Sequence, residues 1–268
     1  MACDGLQPIA GPVNDASRYP VLLHGFTGSS DSWGDRIVDG LAAAGLPPVL
    51  VNLPGHGREA GGVDPKRYTL DGTLEMISSA GDWPTDLVGY SMGARLALHF
   101  AAAHPERVRR LVLESGSPGL ATHEQRSARR SADEALAARV VEEGIEAFVA
   151  SWEAQPVFAT RRALESEVRA HQRAIRLRND PGFLATALTT LGTGSLPSLW
   201  EQLPAITVPT LLLVGALDHK FVDIAERMAA LMPDARIVVA PEAGHTVHLE
   251  RPTDWLAAVT DFLRDPIR

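Results

Sequence analysis

Ser91 lies between two glycines, in the pattern G-x-S-x-G at residues 89–93. The apolar pair 87–88 precedes this pattern and an alanine- and leucine-rich stretch follows it, so the sequence predicts a tight strand-to-helix turn. Because glycine has no Cβ atom, such a turn can hold the serine in a strained conformation, with its hydroxyl above the sheet edge. The pattern alone also occurs by chance, so the prediction of a nucleophilic serine depends on this context.

Two further residues have the types that would activate such a serine. Asp218 follows the predicted strand 209–215, and His245 follows the predicted strand 235–240. A single histidine after a strand is usually structural. Three residues of the right types, each at the carboxyl end of a predicted strand, indicate a Ser-His-Asp catalytic triad.

Two backbone amides are candidates for an oxyanion hole. The predicted strand 19–23 leads into a glycine-rich turn that contains Phe26, and backbone N–H groups in such a turn can approach a reacting oxygen closely. Met92 begins the helix after the serine, where unpaired N–H groups and the helix dipole favour negative charge. The alternative for Phe26 is an ordinary turn with a packing side chain.

Alternating apolar strands and amphipathic helices must position these residues, and their order predicts an α/β fold with a mostly parallel sheet covered by helices on both faces. The predicted strands are residues 19–23, 48–52, 85–90, 108–114, 209–215 and 235–240, and the predicted helices are residues 31–44, 69–80, 92–104 and 252–264.

The α/β alternation stops after residue 114. Residues 115–203 contain helical stretches and no convincing strand, so we expect a helical lid that covers the serine and builds the substrate pocket. The predicted organisation is a first core part at residues 1–114, the lid at residues 115–203, and a second core part at residues 204–268.

Composition restricts the possible functions. The chain has 268 residues, 45% of them hydrophobic, and a net charge of −8, which suits one large domain and argues against nucleic acid or an anionic membrane as a partner. The single cysteine, Cys3, excludes an intramolecular disulfide, and we expect it to be inert. With no signal peptide or membrane span in the sequence, we expect a soluble, cytoplasmic monomer or small homo-oligomer.

Arginine is concentrated in the predicted lid. Residues 121–180 contain ten arginines and ten carboxylates, so the rest of the chain carries the whole charge of −8. Solvated helix faces account for many of these arginines. An arginine-rich lid on an acidic protein is nevertheless compatible with a small anionic substrate.

These motifs together resemble the α/β-hydrolase family over nearly the whole chain, including its order of serine, acid and histidine. Within that family the chain is similar to the lyases of menaquinone biosynthesis that form 2-succinyl-6-hydroxy-2,4-cyclohexadiene-1-carboxylate. The resemblance rests on residues 24–28, 53–57, 89–95, 117–126, 152–159 and 218–221. Two departures are Ala94, where relatives often have glycine, and a sheet that begins at Val21, without room for two earlier strands.

The resemblance implies an elimination rather than a hydrolysis. Pyruvate would leave 2-succinyl-5-enolpyruvyl-6-hydroxy-3-cyclohexene-1-carboxylate after a ring proton is removed. His245, oriented by Asp218, would make Ser91 basic enough to take that proton without forming an acyl enzyme. The amides of Phe26 and Met92 would hold the negative charge that develops on the succinyl carbonyl. No metal, nucleotide or flavin cofactor is implied.

The resemblance also implies a set of substrate-binding side chains, with arginines that meet the substrate carboxylates, an aromatic wall and a tyrosine beside the nucleophile. These are Arg95, Arg126, Arg178, Trp152 and Tyr90. Two alternatives stay open: a serine carboxylesterase or C–C bond hydrolase that uses the same triad, and a binding protein with an inactive triad.

Overall fold

The computed structural model describes residues 19–57 and 64–265, so Cys3 lies outside the described residues. Six parallel strands form one sheet in the order β2-β1-β3-β4-β5-β6. The strands are β1 Val21–Leu23, β2 Val49–Val51, β3 Thr85–Tyr90, β4 Val108–Glu114, β5 Thr210–Gly215 and β6 Ala235–Ala240. The predicted α/β fold with a parallel sheet is confirmed.

Helices connect the strands and cover the sheet on both faces. They are α1 Gly34–Ala43, α2 Leu70–Ser78, α3 Met92–Ala103, α4 His123–Glu153, α5 Ser166–Leu177, α6 Pro181–Leu191, α7 His219–Ala229, the single turn α8 Val247–Glu250, and α9 Pro252–Arg264. The helix predicted at residues 31–44 is divided, because a 3-10 helix, Ser30–Trp33, precedes α1 and ends at Gly34 with a positive φ of 68°.

Side chains alternate between the two faces of the sheet and form two separate apolar cores. In β3, Leu87 packs into a core shared with α2, α3 and α7, whereas Val88 packs into a core shared with α1, α8 and α9. Every residue of β3 and β5 is buried. Strands buried on both faces have near-continuous apolar sequences, which explains why the sequence located them well.

The helices α4, α5 and α6 all lie between β4 and β5, and residues 115–203 contain no strand. The 31-residue α4 is interrupted at Gly144, whose φ is 81°. Val140 and Phe148 of α4 pack with Leu184 of α6, and Phe26 packs against this cluster. The apolar side of the helical segment therefore rests on the glycine-rich turn after β1.

Two edge strands, β2 and β6, bound the sheet formed by residues 19–57 and 64–265. In that part of the chain β1 is the first strand, and it pairs with both β2 and β3. None of the helices described there is long and apolar enough to cross a membrane.

Candidate active site

The backbone at Ser91 has the strained conformation that the sequence predicts. Ser91 has φ 52° and ψ −106°, between the last residue of β3 and the first of α3. A Cβ atom on Gly89 would lie 2.5 Å from the carbonyl oxygen of Gly93, and one on Gly93 would lie 2.6 Å from the carbonyl oxygen of His24. Only glycine fits at these two positions, so the turn brings the Ser91 hydroxyl to the carboxyl end of the sheet.

The structure brings the three predicted triad residues into one hydrogen-bonded line. The Ser91 hydroxyl lies 3.0 Å from Nε2 of His245, and Nδ1 of His245 lies 2.7 Å from Oδ2 of Asp218. Asp218 stands at the start of α7, just past β5. A neutral His245 that donates from Nδ1 to the carboxylate leaves Nε2 free to accept the serine proton, which is the arrangement of a catalytic base.

A glutamate that the sequence did not indicate holds the loop that carries His245. Glu250 accepts hydrogen bonds from the amides of Gly244, at 2.7 Å, and Thr246, at 3.1 Å. These amides flank His245 on either side. The carboxylate therefore fixes the backbone of the histidine independently of the triad contacts.

A second buried acid–histidine pair lies next to the triad and was also not predicted. Glu114, at the end of β4, accepts hydrogen bonds from Nδ1 of His248 at 2.8 Å and from the indole of Trp255 at 2.9 Å. The His248 ring lies 4.8 Å from the Tyr90 ring. All the hydrogen bonds of Glu114 come from neighbours other than His245, so it supports the floor of the site while Asp218 orients the triad histidine.

The two candidate oxyanion amides line the same cavity as Ser91. Met92 is the first residue of α3, so its N–H has no acceptor within the helix. The carbonyl of Gly25 accepts from Gly28 N at 3.0 Å and from Nδ1 of His24 at 2.8 Å. Because the C=O and N–H of a trans peptide point in opposite directions, these bonds direct the N–H of Phe26 away from them.

His24 supports this peptide, a role that no sequence pattern indicated. Its Nε2 accepts a hydrogen bond from Leu53 N at 3.0 Å. Burial, together with the nearby His56, lowers the pKa of His24 to about 3. The ring is therefore neutral near pH 7, and Nδ1 carries the proton that it donates to Gly25.

Two cavities are lined by Ser91, and a third shares Arg161 and Arg176 with one of them. The main cavity, about 320 Å³, is lined by Phe26, Ser91, Met92, Arg95, Arg129 and Trp152. The inner cavity, about 30 Å³, is lined by Tyr90, Ser91, Trp152, Arg161, Arg176 and His248. The outer cavity, about 390 Å³, is lined by Glu153, Arg161, Arg162, Arg169, Arg173 and Arg176. Trp152 thus lines two of the cavities and Tyr90 lines the inner one.

Arg95 lies in the wall of the main cavity, on the first turn of α3 after Ser91. Its Nη2 donates to the carbonyl of Leu191 at 3.4 Å, and its buried Nε has no partner among residues 19–57 and 64–265. Burial, together with the positive charge of Arg129, lowers the pKa of Arg95 to about 10. The guanidinium is still charged near pH 7, but its environment is short of negative charge.

The other two arginines predicted to bind substrate lie elsewhere. Arg126 donates to the carbonyl of Leu120 at 2.9 Å, and Arg178 pairs with the exposed Asp31 at 2.9 Å. Neither lines the main, inner or outer cavity. Two other arginines, Arg129 and Arg176, do line these cavities. Neighbouring positions on a helix differ by about 100° in direction, and sequence spacing alone did not show which ones face the cavity.

No metal site accompanies this arrangement in the described part of the chain. Within residues 19–57 and 64–265, no group of three or more His, Cys, Asp or Glu side chains is placed to hold an ion. What the residues present is a serine with its base, two amide donors and several arginines.

These features define the class of protein to which the chain belongs. The sequence model of the alpha/beta hydrolase fold matches residues 21–252, and the chain belongs to this family. The sheet order, the strained serine and the order of the triad residues all agree with that membership.

The comparisons with individual proteins are more specific. The chain is 40% identical to a putative 2-succinyl-6-hydroxy-2,4-cyclohexadiene-1-carboxylate synthase of Bacillus subtilis, over 97% of this chain and 96% of that protein. It is 35% identical to the synthase of that name from Escherichia coli O1:K1, covering 91% and 93% of the two chains. The solved structure of MenH from S. aureus superimposes with a TM-score of 0.85 at 33% identity, covering 94% of this chain and 96% of that one.

Proposed function

We propose that the protein is a carbon–oxygen lyase of menaquinone biosynthesis. It eliminates pyruvate from 2-succinyl-5-enolpyruvyl-6-hydroxy-3-cyclohexene-1-carboxylate and releases 2-succinyl-6-hydroxy-2,4-cyclohexadiene-1-carboxylate. The near full-length similarity to synthases named for that product supports the proposal. The observation in this structure that carries it is the half-buried Arg95 beside Ser91, whose buried Nε has no partner among the described residues, because a neutral ester offers such a cation no negative charge.

The proton leaves the ring carbon that bears the succinyl group. His245, oriented by Asp218, accepts the proton of Ser91, and the serine oxygen takes the ring proton. The electrons of the broken C–H bond move toward the succinyl carbonyl. Its oxygen accepts hydrogen bonds from the backbone N–H groups of Phe26 and Met92. Both donors are backbone groups fixed by neighbouring structure, so little reorganisation is needed as charge develops.

The enolate then collapses and the ring C–O bond breaks. The electrons form a double bond between C2 and C3 of the ring, the existing double bond shifts from C3–C4 to C4–C5, and the leaving group departs from C5 as the enolate of pyruvate. Protonation of its methylene carbon gives pyruvate, so the proton taken from the ring is balanced by the one added to the leaving group. Ser91 is never acylated, and no water is consumed.

The substrate carries three carboxylates, and the cavities offer three matching arginines. Arg95 and Arg129 line the main cavity, and Arg176 lines the inner one. Burial is the main reason why the pKa values of Arg95 and Arg176 fall to about 10, and neighbouring arginines add to it. Arg129 pairs with Asp133 at 2.7 Å and Arg176 pairs with Glu153 at 3.1 Å, whereas Arg95 has no ion pair at contact distance among the described residues. A largely desolvated cation without an ion pair favours an anionic ligand.

The helical segment of residues 115–203 serves in this proposal as a lid that brings Arg129 and Arg176 to the serine. The proposed enzyme works in the cytoplasm on a small anionic substrate. The net charge of −8 argues against nucleic acid or an anionic membrane as its partner.

A direct assay tests the proposal. The protein is incubated with the enolpyruvyl intermediate, and pyruvate is followed with a coupled lactate dehydrogenase reaction. We expect pyruvate and the cyclohexadiene product in equal amounts, with the Ser91→Ala variant as control. Pyruvate release by the wild type no faster than by that variant would rule the lyase out.

A serine carboxylesterase or C–C bond hydrolase is the second candidate, because the triad and its amides suit acyl transfer equally well. Hydrolysis of p-nitrophenyl acetate faster than pyruvate elimination, with release of acetate, would favour it. Inertness toward both substrates would favour a binding protein.

A further inference from the structure

Arg161 belongs to neither the predicted set of site residues nor the three arginines assigned above. It lies on the 3-10 helix Pro156–Ala163, between α4 and α5. Its Nε donates to Oγ1 of Thr246 at 2.7 Å, and its Nη2 donates to the hydroxyl of Tyr90 at 3.0 Å. The guanidinium carbon lies 4.0 Å from the centre of the Phe158 ring. Arg161 is therefore held between the residue after His245 and the residue before Ser91.

All these partners of Arg161 are neutral. In the part of the chain formed by residues 19–57 and 64–265, no carboxylate lies at ion-pairing distance from it. Glu153, which lines the outer cavity with Arg161, already pairs with Arg173 at 2.6 Å and Arg176 at 3.1 Å. Its carboxylate is thus shared by two guanidinium groups, and neither of them is that of Arg161.

The positive charges of Arg161 and Arg176 act on each other. Arg176 is buried, its Nε has no partner among the described residues, and the charge of Arg161 adds to burial in lowering its pKa. Both side chains line the inner cavity together with Ser91. Two like charges directed at one small space beside the nucleophile lower their energy when an anion enters it.

The size of this space indicates which part of a ligand fits. The inner cavity measures about 30 Å³, which is room for about two water molecules and hence for one carboxylate group, but not for a ring. Planar guanidinium groups bind carboxylates through paired N–H···O bonds. The inner cavity is therefore suited to a single carboxylate at the end of a larger molecule that occupies the main cavity.

We propose that Arg161 is a specificity-determining residue, which binds one substrate carboxylate in the inner cavity together with Arg176. This inference rests on the proposed function for the identity of the substrate. It adds a fourth arginine to the three assigned above, and this fourth arginine belongs to the helical segment. Through Thr246 and Tyr90 the same guanidinium touches the segments that carry His245 and Ser91. A carboxylate bound there is consequently placed at a fixed position relative to both catalytic groups.

The experiment measures binding, so that it does not depend on turnover. Pyruvate is titrated into the full-length protein by calorimetry, and the dissociation constant is compared between variants. Arg161→Gln keeps hydrogen-bond donors and loses the charge, and we expect it to weaken pyruvate binding about 10- to 100-fold. Arg161→Lys, which keeps the charge, should recover at least part of the loss.

Two variants separate this role from a bracing role. Arg162→Gln removes the adjacent exposed arginine, which lines only the outer cavity, and we expect no more than about a 2-fold change. Thr246→Val removes one hydrogen bond of Arg161 without removing its charge, and its effect should be smaller than that of Arg161→Gln.

Equal losses in Arg161→Gln and Arg162→Gln would show a general charge effect and overturn the proposal. Equal losses of affinity in Arg161→Gln and Thr246→Val would show that Arg161 only supports the neighbouring segments, which overturns the proposal. The proposal also fails if the wild type does not bind pyruvate. The proposed function fails separately, if the wild type binds pyruvate through Arg161 but does not release it from the enolpyruvyl intermediate.

Discussion

The sheet core and the helical segment of residues 115–203 meet at Ser91, and they treat charge in opposite ways. In the core, the buried Glu114 is matched by His248 and Trp255. In the helical segment, Arg161 has no acidic partner among the described residues, and Arg176 shares Glu153 with Arg173. The buried carboxylate of Glu114 is thus matched by neighbouring side chains, whereas the arginines of the helical segment outnumber the acids that pair with them here, and the proposed function assigns an anion to them.

This difference separates two tasks within one site. The core supplies the groups that move protons and stabilise the developing oxyanion, and each is fixed by a strand end or a backbone hydrogen bond. In the proposed function, the helical segment and Arg95 of α3 supply the charges that select the substrate. Chemistry and specificity should therefore respond separately to mutation, because function belongs to the site rather than to the fold.

The largest effect is expected from the core. Ser91→Ala and His245→Ala should each lower the rate of pyruvate release by about 10⁴-fold or more, and the double variant should be little worse, because the two residues act as one unit. Single-turnover kinetics on variants with unchanged circular dichroism measure this. Losses that multiply would show that the serine and histidine do not work together.

Asp218→Asn tests the third residue of the same line. The amide group of asparagine can donate a hydrogen bond to Nδ1 of His245 and so stabilise the wrong histidine tautomer. In that tautomer Nε2 carries the proton and cannot act as a base. We expect a loss on the order of 10³-fold in kcat, with little change in KM. Glu242→Gln, a neighbouring exposed carboxylate, is the control. An unchanged rate in Asp218→Asn would mean that His245 needs no acidic partner.

Arg95→Ala tests the charges that are proposed to select the substrate, although Arg95 itself lies on α3 of the core. It should cost about 2–5 kcal/mol of transition-state stabilisation with the trianionic substrate, since a substrate carboxylate is left without its partner. Hydrolysis of a small neutral ester should barely change. Arg126→Ala and Arg178→Ala are matched controls, because neither side chain lines the three cavities. Equal losses on both substrates would move the assignment toward an esterase.

The smallest effect concerns stability in acid. Burial is the first cause that lowers the pKa of His24 to about 3 and of His56 and His99 to about 4. Below pH 6.5 the unfolded chain binds protons that the folded core does not, so stability is lost as the pH falls toward 4. The slope is at most about 1.4 kcal/mol per pH unit for each histidine.

Urea unfolding between pH 7.5 and 5 measures this slope. His99→Gln should reduce the slope of stability against pH by the contribution of one proton. His171→Gln, which replaces an exposed histidine of α5, should leave the slope unchanged. A stability that does not vary over this range would mean that the three rings are protonated in the folded protein.

The sequence predicted the strands and the strand-free helical segment, but it did not show which arginines of that segment face the cavities. Ser91 is marked by local steric demands, and Asp218 and His245 follow recognisable buried strands. Arg126 and Arg178 were assigned from the resemblance, but the direction in which a helix presents its residues depends on packing that sequence spacing does not show.

Supporting residues were missed for a different reason. Glu114 bonds to His248, 134 positions away, and Arg161 bonds to Thr246, 85 positions away. Such partners are set by the topology of the sheet rather than by a local pattern. Glu250 lies close in sequence to the amides that it holds, but a carboxylate there carries no motif.

The positive φ of 52° at Ser91 creates a trade-off between the activity and the stability of this protein. A non-glycine residue in such a conformation destabilises the folded state by about 1–3 kcal/mol, and glycine would relieve that strain while removing the nucleophile. The sequence that folds most stably is therefore not the sequence that reacts. Selection for stability alone would erase the serine, so its presence records a continuing demand for activity.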